Sequence, residues 1–258
     1  MHSPAPDLSP TNPPRKHRIV RAAVLSAIGL VLLAVAGFLI WANTGVMQAE
    51  PGILATVKSN PAISVVETGN AVVMAPTRAA SGTGLVFIPG AKVDPHAYLS
   101  KLSGAVESAG LTVVITEPIL NLAFFDQRPL SAFTDATDGI ETWYVGGHSL
   151  GGVRACQYAE QPGVQGLVLF GSYCANDLSS TSLDVLSLSA NNDGLTTSED
   201  VRRSTHLLPS DTTFVEIEGA NHARFGDYGL QSGDGSATIS SEQVRCVITD
   251  ELTRFLRE

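Results

Sequence analysis

The sequence predicts an α/β fold, a single domain built on a mostly parallel sheet with helices on both faces, preceded by an N-terminal transmembrane helix. Three observations predict it. An uncharged apolar run covers residues 22–42. Beyond it, short apolar runs alternate with helical segments, which is the order of a parallel α/β sheet. Those runs lack strict alternation of polar and apolar residues, as strands covered on both faces should.

The composition is that of a globular protein. Of the 258 residues, 44% are hydrophobic, and 14 Pro and 24 Gly are too few for a disordered or collagen-like chain. The net charge of −9 leaves no basic stripe to neutralise phosphates, and an aromatic content of 6% offers few stacking platforms. Nucleic acid is therefore excluded as a partner.

The N-terminal region divides into a tail, an anchor and a linker. Residues 1–21 are rich in proline, carry Arg15, Lys16, Arg18 and Arg21, and are expected to be a disordered cytoplasmic tail. Residues 22–42 give roughly 30 Å of helix, enough to span a bilayer. The linker is 43–60, and the main globular domain is 61–258.

The charges around the anchor predict its orientation. Four basic residues precede it and only Glu50 follows closely, so the N-terminus is placed in the cytoplasm and residues 51–258 outside the cell membrane. A cleaved signal peptide is the alternative, although its apolar region would be shorter and Met47-Gln48-Ala49 is a poor cleavage site. A cytoplasmic domain on the other side of the bilayer is the third possibility.

Three cysteines allow one disulfide and one free thiol. We expect a Cys174–Cys246 disulfide, with Cys156 reduced and buried as a small apolar side chain. No C-x2-C spacing occurs, so no metal site is predicted. No cofactor is expected either.

The domain begins with two antiparallel strands, 63–67 and 71–75, joined by a turn at Thr68-Gly69-Asn70. Further strands and helices then alternate, with no insertion large enough for a lid. The further strands are predicted at 84–88, 111–116, 142–147, 166–171, 184–190 and 213–218, and the helices at 95–109, 131–139, 150–160, 198–206 and 241–256.

A G-x-S-x-G motif, Gly147-His148-Ser149-Leu150-Gly151, follows a predicted strand and opens a predicted helix. This is the context of a nucleophile elbow, in which a tight turn exposes a serine hydroxyl. The neighbouring positions must be small to clear the turn, and the helix N-terminus stabilises negative charge near the hydroxyl. A Gly-rich turn without catalytic function is the alternative.

Four segments in this order resemble the α/β-hydrolase fold family, in particular its small, lid-less, membrane-anchored members of actinobacterial type. They are FIPGAKVDPHAY (87–98), GGHSLGG (146–152), SANNDGLTT (189–197) and GANHARFGDYG (219–229). The family order of nucleophile, acid and histidine implies a catalytic triad of Ser149, Asp193 and His222.

The candidate acid and base follow strands. Asp193 comes after the strand 184–190 and His222 after 213–218, where loops direct side chains to the top of the sheet. The alternative for Asp193 is a turn-forming role in Asn-Asp-Gly, with Asp177 the next candidate acid. His148 is too close to Ser149 in sequence to act as its base, and His96 and His206 are expected at the surface.

The oxyanion needs two backbone donors. One is the N–H of Leu150, directly after the nucleophile. The other comes from the loop after strand 84–88, where Pro89-Gly90-Ala91-Lys92 replaces the His-Gly segment of many relatives, and Ala91 is the chosen donor.

The predicted function is that of a monomeric serine hydrolase, a carboxylesterase acting on a small-molecule or lipid ester through an acyl-enzyme. An acyltransferase, or a thioester or peptide hydrolase, would use the same residues, and a catalytically inactive cell-surface binding module is the alternative of another class. Four aromatic residues are candidates for an acyl pocket or for core packing: Tyr98, Phe124, Phe125 and Phe133.

Overall fold

The computed structural model describes residues 15–135 and 137–257. The chain divides into two compact units, the first ending at Thr44 and the second beginning at Gly45. Residues 1–14, the larger part of the predicted disordered tail, lie outside the described residues. Helix α1, Arg15–Asn43, begins earlier than the predicted anchor, so residues 15–21 are helical and not disordered. Lys and Arg are good helix formers, and extending an existing helix is less costly than starting one.

Within the described chain, α1 is the helix long and apolar enough to cross a membrane, over Arg18–Asn43. Its apolar side chains are exposed, with Leu33 at 72% and Leu30 at 69% of full exposure. Length and composition fit a membrane span, and a signal sequence near the N-terminus has the same properties.

The predicted linker is partly structured. Helix α2, Pro51–Lys58, lies within it and buries Val57 against the core of the second unit. Met47 also pairs with Val93 in an isolated parallel bridge. The boundary predicted at residue 61 is therefore too late, because residues from Gly45 onwards pack with the domain.

An eight-stranded sheet forms the centre of the second unit, in the order β1-β2-β4-β3-β5-β6-β7-β8. The first two strands are antiparallel to their neighbours, and the pairs from β4 to β8 are parallel. The predicted mostly parallel sheet is confirmed. The strands are β1 (Ile63–Glu67), β2 (Ala71–Pro76), β3 (Thr83–Ile88), β4 (Thr112–Thr116), β5 (Thr142–His148), β6 (Val164–Phe170), β7 (Asp184–Ala190) and β8 (Thr213–Ile217).

Helices cover both faces of this sheet, and most lie close to their predicted positions. The segment predicted at 131–139 is shorter than expected, and the segment predicted at 95–109 starts with a 3₁₀ turn over Pro95–Tyr98. The helices are α3 (Leu99–Ala109), α4 (Ser131–Thr134), α5 (Leu150–Ala159), α6 (Ser198–Ser204) and α7 (Ser241–Phe255).

Two apolar clusters, one on each face, hold the layers together. Helices α3 and α7 pack on one face, where Leu102 and Ile248 are fully buried. Helix α5 packs on the other face with Ala155 and Cys156. Because β3 to β8 run in parallel, their carboxyl ends share one edge of the sheet, and the loops at that edge carry the candidate site.

The disulfide prediction is wrong. The structure joins Cys156 to Cys174, with Cα atoms 5.5 Å apart, and leaves Cys246 free and exposed. Both bonded cysteines lie in the cluster beneath α5. Cys246 belongs to α7, whose buried residues pack on the opposite face, so the sheet separates it from Cys174.

Candidate active site

Ser149 occupies the turn between β5 and α5, as predicted from the G-x-S-x-G motif. Its backbone has φ 52° and ψ −125°, a strained conformation for a residue with a Cβ atom. Two hydrogen bonds join the turn to the end of β6 and the residues after it: the Ser149 N–H donates to the Phe170 carbonyl at 3.1 Å, and Ser172 Oγ donates to the Ser149 carbonyl at 2.7 Å. The side chain is half-buried at the start of α5.

The glycines of the motif are required by close backbone approach. A Cβ atom at Gly147 would lie 2.5 Å from the Gly151 carbonyl carbon. A Cβ atom at Gly151 would lie 2.1 Å from the carbonyl oxygen of Ile88 at the end of β3. The motif therefore brings the turn of Ser149 directly against the segment that begins the loop after β3.

Asp193 and His222 form a buried pair. His222 Nδ1 lies 2.7 Å from Asp193 Oδ2, and both side chains have no exposed surface. Asp193 Oδ1 accepts the N–H groups of Leu195 at 2.8 Å and Thr196 at 2.6 Å. The carboxylate therefore makes the turn considered in the sequence and also orients the imidazole.

The other imidazole nitrogen, His222 Nε2, is buried and has no hydrogen-bond partner in the described chain. The bond from Ser149 Oγ to this nitrogen is thus not formed in this conformation. Since Nδ1 is directed to Asp193, a neutral ring carries its proton there and presents a lone pair at Nε2. That nitrogen is able to accept a proton.

The loop after β3 has one N–H group without a partner. Gly90 donates its N–H to Tyr98 Oη at 2.9 Å, and Lys92 donates its N–H to the Asn121 carbonyl at 2.8 Å. Between them, Ala91 donates to no group in the parts of the chain described here, and neither does Leu150. These are the two N–H groups predicted as oxyanion donors.

His148, within the motif, packs against His222 with ring centroids 4.4 Å apart. Its Nδ1 lies 2.9 Å from Tyr98 Oη, which is already an acceptor for Gly90, so Tyr98 donates to His148. Burial, together with the nearby His222, holds the pKa of His148 well below its usual range. His148 is therefore a neutral, buried neighbour of the candidate base.

Two residues take part in the site in ways that the sequence did not indicate. Tyr98, considered only for an acyl pocket or the core, is hydrogen-bonded to the Gly90 N–H and to His148 Nδ1. Asp234 accepts the N–H groups of Gly194, His222, Ala223 and Gly235. The available signal for Asp234 was a carboxylate between Gly233 and Gly235 in the loop after the candidate base.

The rival candidates lie apart from this pair. Asp177 is exposed and accepts the N–H of Ser179, and His206 is exposed beside the Arg203 carbonyl. His96 is half-buried between Asp94 and Glu67, at 2.8 Å from each. In residues 15–135 and 137–257 no group of three or more His, Cys, Asp or Glu side chains is arranged to hold a metal ion.

Comparison with known proteins agrees with this architecture. Residues 84–246, more than half of the chain, match the model of the alpha/beta hydrolase family. The chain belongs to this family. No curated protein matches the sequence at a significant level.

Solved structures similar to this hydrolase share its fold at low sequence identity. The esterase domain of a Rhodothermus marinus protein is 16% identical, with a TM-score of 0.57 and coverage of 76% of this chain and 98% of that one. A predicted CIB-like hydrolase from Thermoplasma acidophilum is 12% identical, with a TM-score of 0.55 and coverage of 74% and 99%. A serine hydrolase without a lid from Xanthomonas campestris is 13% identical, with a TM-score of 0.52 and coverage of 77% and 95%.

Proposed function

We propose that this alpha/beta hydrolase cleaves carboxylic esters through an acyl-enzyme on Ser149, with His222 as general base and Asp193 as the acid that orients it. One observation carries the proposal. The unbonded His222 Nε2 and the strained, half-buried Ser149 belong to loops at the same edge of the sheet, and the buried Asp193 supports the imidazole.

The first half-reaction makes the acyl-enzyme. Ser149 Oγ attacks the ester carbonyl carbon while its proton passes to His222 Nε2. The tetrahedral intermediate collapses, the bond to the alcohol oxygen breaks, and the imidazolium returns the proton to the departing alcohol. In uncomplexed enzymes the serine–histidine bond is often long and tightens when substrate binds, which is consistent with the unbonded Nε2 here.

Water completes the reaction. His222 removes a proton from water, which attacks the acyl carbon, and Ser149 leaves with the proton from the imidazolium. In both steps the oxyanion is stabilised by the N–H groups of Leu150 and Ala91 and by the N-terminus of α5. The commitment of Gly90 to Tyr98 and of Lys92 to Asn121 supports Ala91 as the donor from its loop.

The loops at the edge of the sheet that carries the site support an apolar acyl group. Tyr98 and Phe133 are buried in the core, which removes two of the four aromatic candidates. Several large apolar side chains are instead exposed in loops that follow the carboxyl ends of β4, β6, β7 and β8. They are Ile119, Phe124, Phe125, Tyr173, Leu195 and Leu230. Among the similar folds, one is the esterase domain already described and another is Est1E from Butyrivibrio proteoclasticus.

Hydrolysis of p-nitrophenyl acetate and p-nitrophenyl octanoate by the full-length protein in detergent tests this function. Ser149→Ala should lower kcat/KM by about 10⁴-fold or more. Ser210→Ala, at an exposed serine before β8, is the matched control and should retain the wild-type rate. Folded Ser149→Ala protein that keeps its activity, or a folded wild type inactive on both esters, would overturn the proposal.

We propose further that α1 stays in the cell membrane and that residues 51–258 lie outside. The basic residues before the apolar stretch support this orientation. The Cys156–Cys174 disulfide supports it independently, because such bonds persist in oxidising compartments. Protease added to intact cells should digest the catalytic domain, and protection of that domain would reverse the orientation.

A further inference from the structure

We propose that Asp234 is a positioning residue whose hydrogen bonds hold the loop of the base, His222, against the loop of the acid, Asp193. This inference rests on the proposed function, since it assigns a role to Asp234 in the same site. Asp234 lies in the segment 229–239, here called the strap, between the candidate base and α7.

The carboxylate of Asp234 joins the two loops directly. Its Oδ1 accepts the N–H of Gly194 at 3.1 Å and the N–H of His222 at 3.1 Å. Its Oδ2 accepts the N–H of Ala223 at 2.8 Å. Gly194 is the residue after Asp193, so one side chain holds the backbone beside the acid and the backbone of the base.

A fourth bond and close packing hold Asp234 in place. Asp234 Oδ1 also accepts the N–H of Gly235 at 2.7 Å, and the Gly235 carbonyl accepts Asn221 Nδ2 at 2.7 Å. A Cβ atom at Gly235 would lie 1.9 Å from the Asn192 carbonyl oxygen. A Cβ atom at Gly194 would lie 2.7 Å from the Gly233 carbonyl oxygen. The strap therefore contacts the acid loop at backbone distance.

This arrangement matters because the acid and base come from different crossovers of the sheet. Asp193 follows β7 and His222 follows β8, and the 2.7 Å bond between their side chains requires both loops to keep their spacing. Two other hydrogen bonds join the same loops, from Asn192 N–H to the Ala220 carbonyl at 3.0 Å and from Gly219 N–H to Asn191 Oδ1 at 2.8 Å, but neither reaches the backbone of His222 or of Gly194. Without Asp234, two N–H groups beside the base and one beside the acid lose their acceptor. The expected result is a displaced imidazole, and a misplacement of about 1 Å can cost about 10²-fold in rate.

Two substitutions at Asp234 should lower the rate of ester hydrolysis to different extents. Asp234→Ala removes all four acceptor bonds and should lower kcat by about 10²-fold, with KM changed by less than about threefold. Asp234→Asn keeps one carbonyl oxygen, which can still accept, and should restore most of the rate, to within about tenfold of wild type. Asp177→Ala is the matched control, an exposed loop aspartate that also accepts a backbone N–H, and it should leave kcat unchanged.

A double-mutant cycle separates positioning from a general loss of structure. If Asp234 acts through His222, adding Asp234→Ala to His222→Ala should not lower the residual hydrolysis further. A loss of folded protein would instead lower the residual rate by the same factor in both backgrounds. That second outcome, or an Asp234→Ala protein with wild-type kcat, would overturn the inference.

The wild type and Ser149→Ala, measured beside these variants, distinguish failure of the proposed function from failure of this inference. If the proposed function is wrong, the wild type is inactive or Ser149→Ala is active. If only the positioning role is wrong, the wild type is active, Ser149→Ala is inactive, and Asp234→Ala hydrolyses ester at the wild-type rate.

Discussion

Asp193–His222 and Lys101–Asp227 are both buried acid–base pairs, and they leave different atoms unbonded. In the first, Asp193 uses both carboxylate oxygens, and the unbonded atom is His222 Nε2. In the second, Lys101 Nζ donates to Asp227 Oδ1 at 2.6 Å and to the carbonyl and hydroxyl of Ser241. There the unbonded atom is on the acid, Asp227 Oδ2.

Under the proposed function, this difference separates a pair that serves proton transfer from a pair that serves structure. An unbonded imidazole nitrogen supported by a carboxylate can take a proton from a hydroxyl. An ammonium group that already donates three hydrogen bonds has no lone pair and no free donor for a substrate. The pair of Lys101 and Asp227 instead joins α3 to the loop before α7. Burial lowers the pKa of Lys101, and the carboxylate of Asp227 opposes that shift.

The largest expected effect is on activity, at His222. His222→Ala should lower kcat/KM by about 10⁴-fold or more, because it removes the proton acceptor. Its cost in stability should be smaller than that at Lys101, since Asp193 keeps the N–H groups of Leu195 and Thr196. Ester hydrolysis measures the loss of activity, and thermal unfolding measures the loss of stability. His206→Ala, at an exposed histidine, is the control. A folded, active His222→Ala would contradict this assignment.

Lys101→Met should lower stability and leave activity unchanged, the reverse of what is expected for His222→Ala. Removing one partner of a buried pair leaves an uncompensated charge, so the free energy of unfolding should fall by about 3–5 kcal/mol while kcat of the folded fraction is unchanged. Lys58→Met is the control, because Lys58 and Glu67 form an exposed pair at 3.5 Å worth about 1 kcal/mol or less. Denaturant titration measures both variants. A selective loss of kcat in Lys101→Met would show that this pair also serves the reaction.

His148 extends the comparison to pH. Its pKa in the folded protein is lowered by burial and by His222, whereas the unfolded chain takes up a proton below about pH 6.5. Stability contributed by neutral His148 is therefore lost as pH falls below that value, by up to about 1.4 kcal/mol per pH unit. His148→Gln should have a flatter dependence of unfolding free energy on pH between 6.5 and 5. Equal slopes in the two proteins would mean that His148 is protonated in the fold.

The smallest expected effect concerns His96, whose contribution to stability depends on pH in the direction opposite to that of His148. Its hydrogen bond with Asp94 raises the pKa of His96, burial opposes this, and the bond with Glu67 adds to it. The stabilisation is present below about pH 6.5 and is lost as pH rises through the raised value of the folded protein. His96→Gln should cost less than about 1 kcal/mol at pH 6, because the group is partly exposed, and less still at pH 9. A larger cost at pH 9 would contradict the sign.

Local sequence signals predicted the sheet and the elbow well. Each strand is a short apolar run that needs no knowledge of its partner, as in Thr112–Thr116 or Asp184–Ala190, and the Gly147 and Gly151 positions follow from the turn itself. The resemblance to the α/β-hydrolase family, with its order of nucleophile, acid and histidine, together with the positions of Asp193 and His222 after predicted strands, led to the two residues whose side chains the structure brings together.

Contacts between distant segments were not predictable in the same way. Pairing Cys174 with Cys156 and not Cys246 depends on which face of the sheet α5 and α7 cover, and the sequence alone does not state this. Asp234 was missed for a related reason. Its partners are backbone N–H groups of two other loops, and backbone groups carry no residue-type signal.

The central claim, that Ser149 is a nucleophile activated by His222, is tested most directly by labelling the full-length protein with a fluorophosphonate and mapping the modified residue by mass spectrometry. We predict a single modification, on Ser149, that is abolished in Ser149→Ala and slowed by at least about 10³-fold in His222→Ala. Modification of a different residue, or labelling of Ser149 at an undiminished rate in folded His222→Ala, would contradict the account.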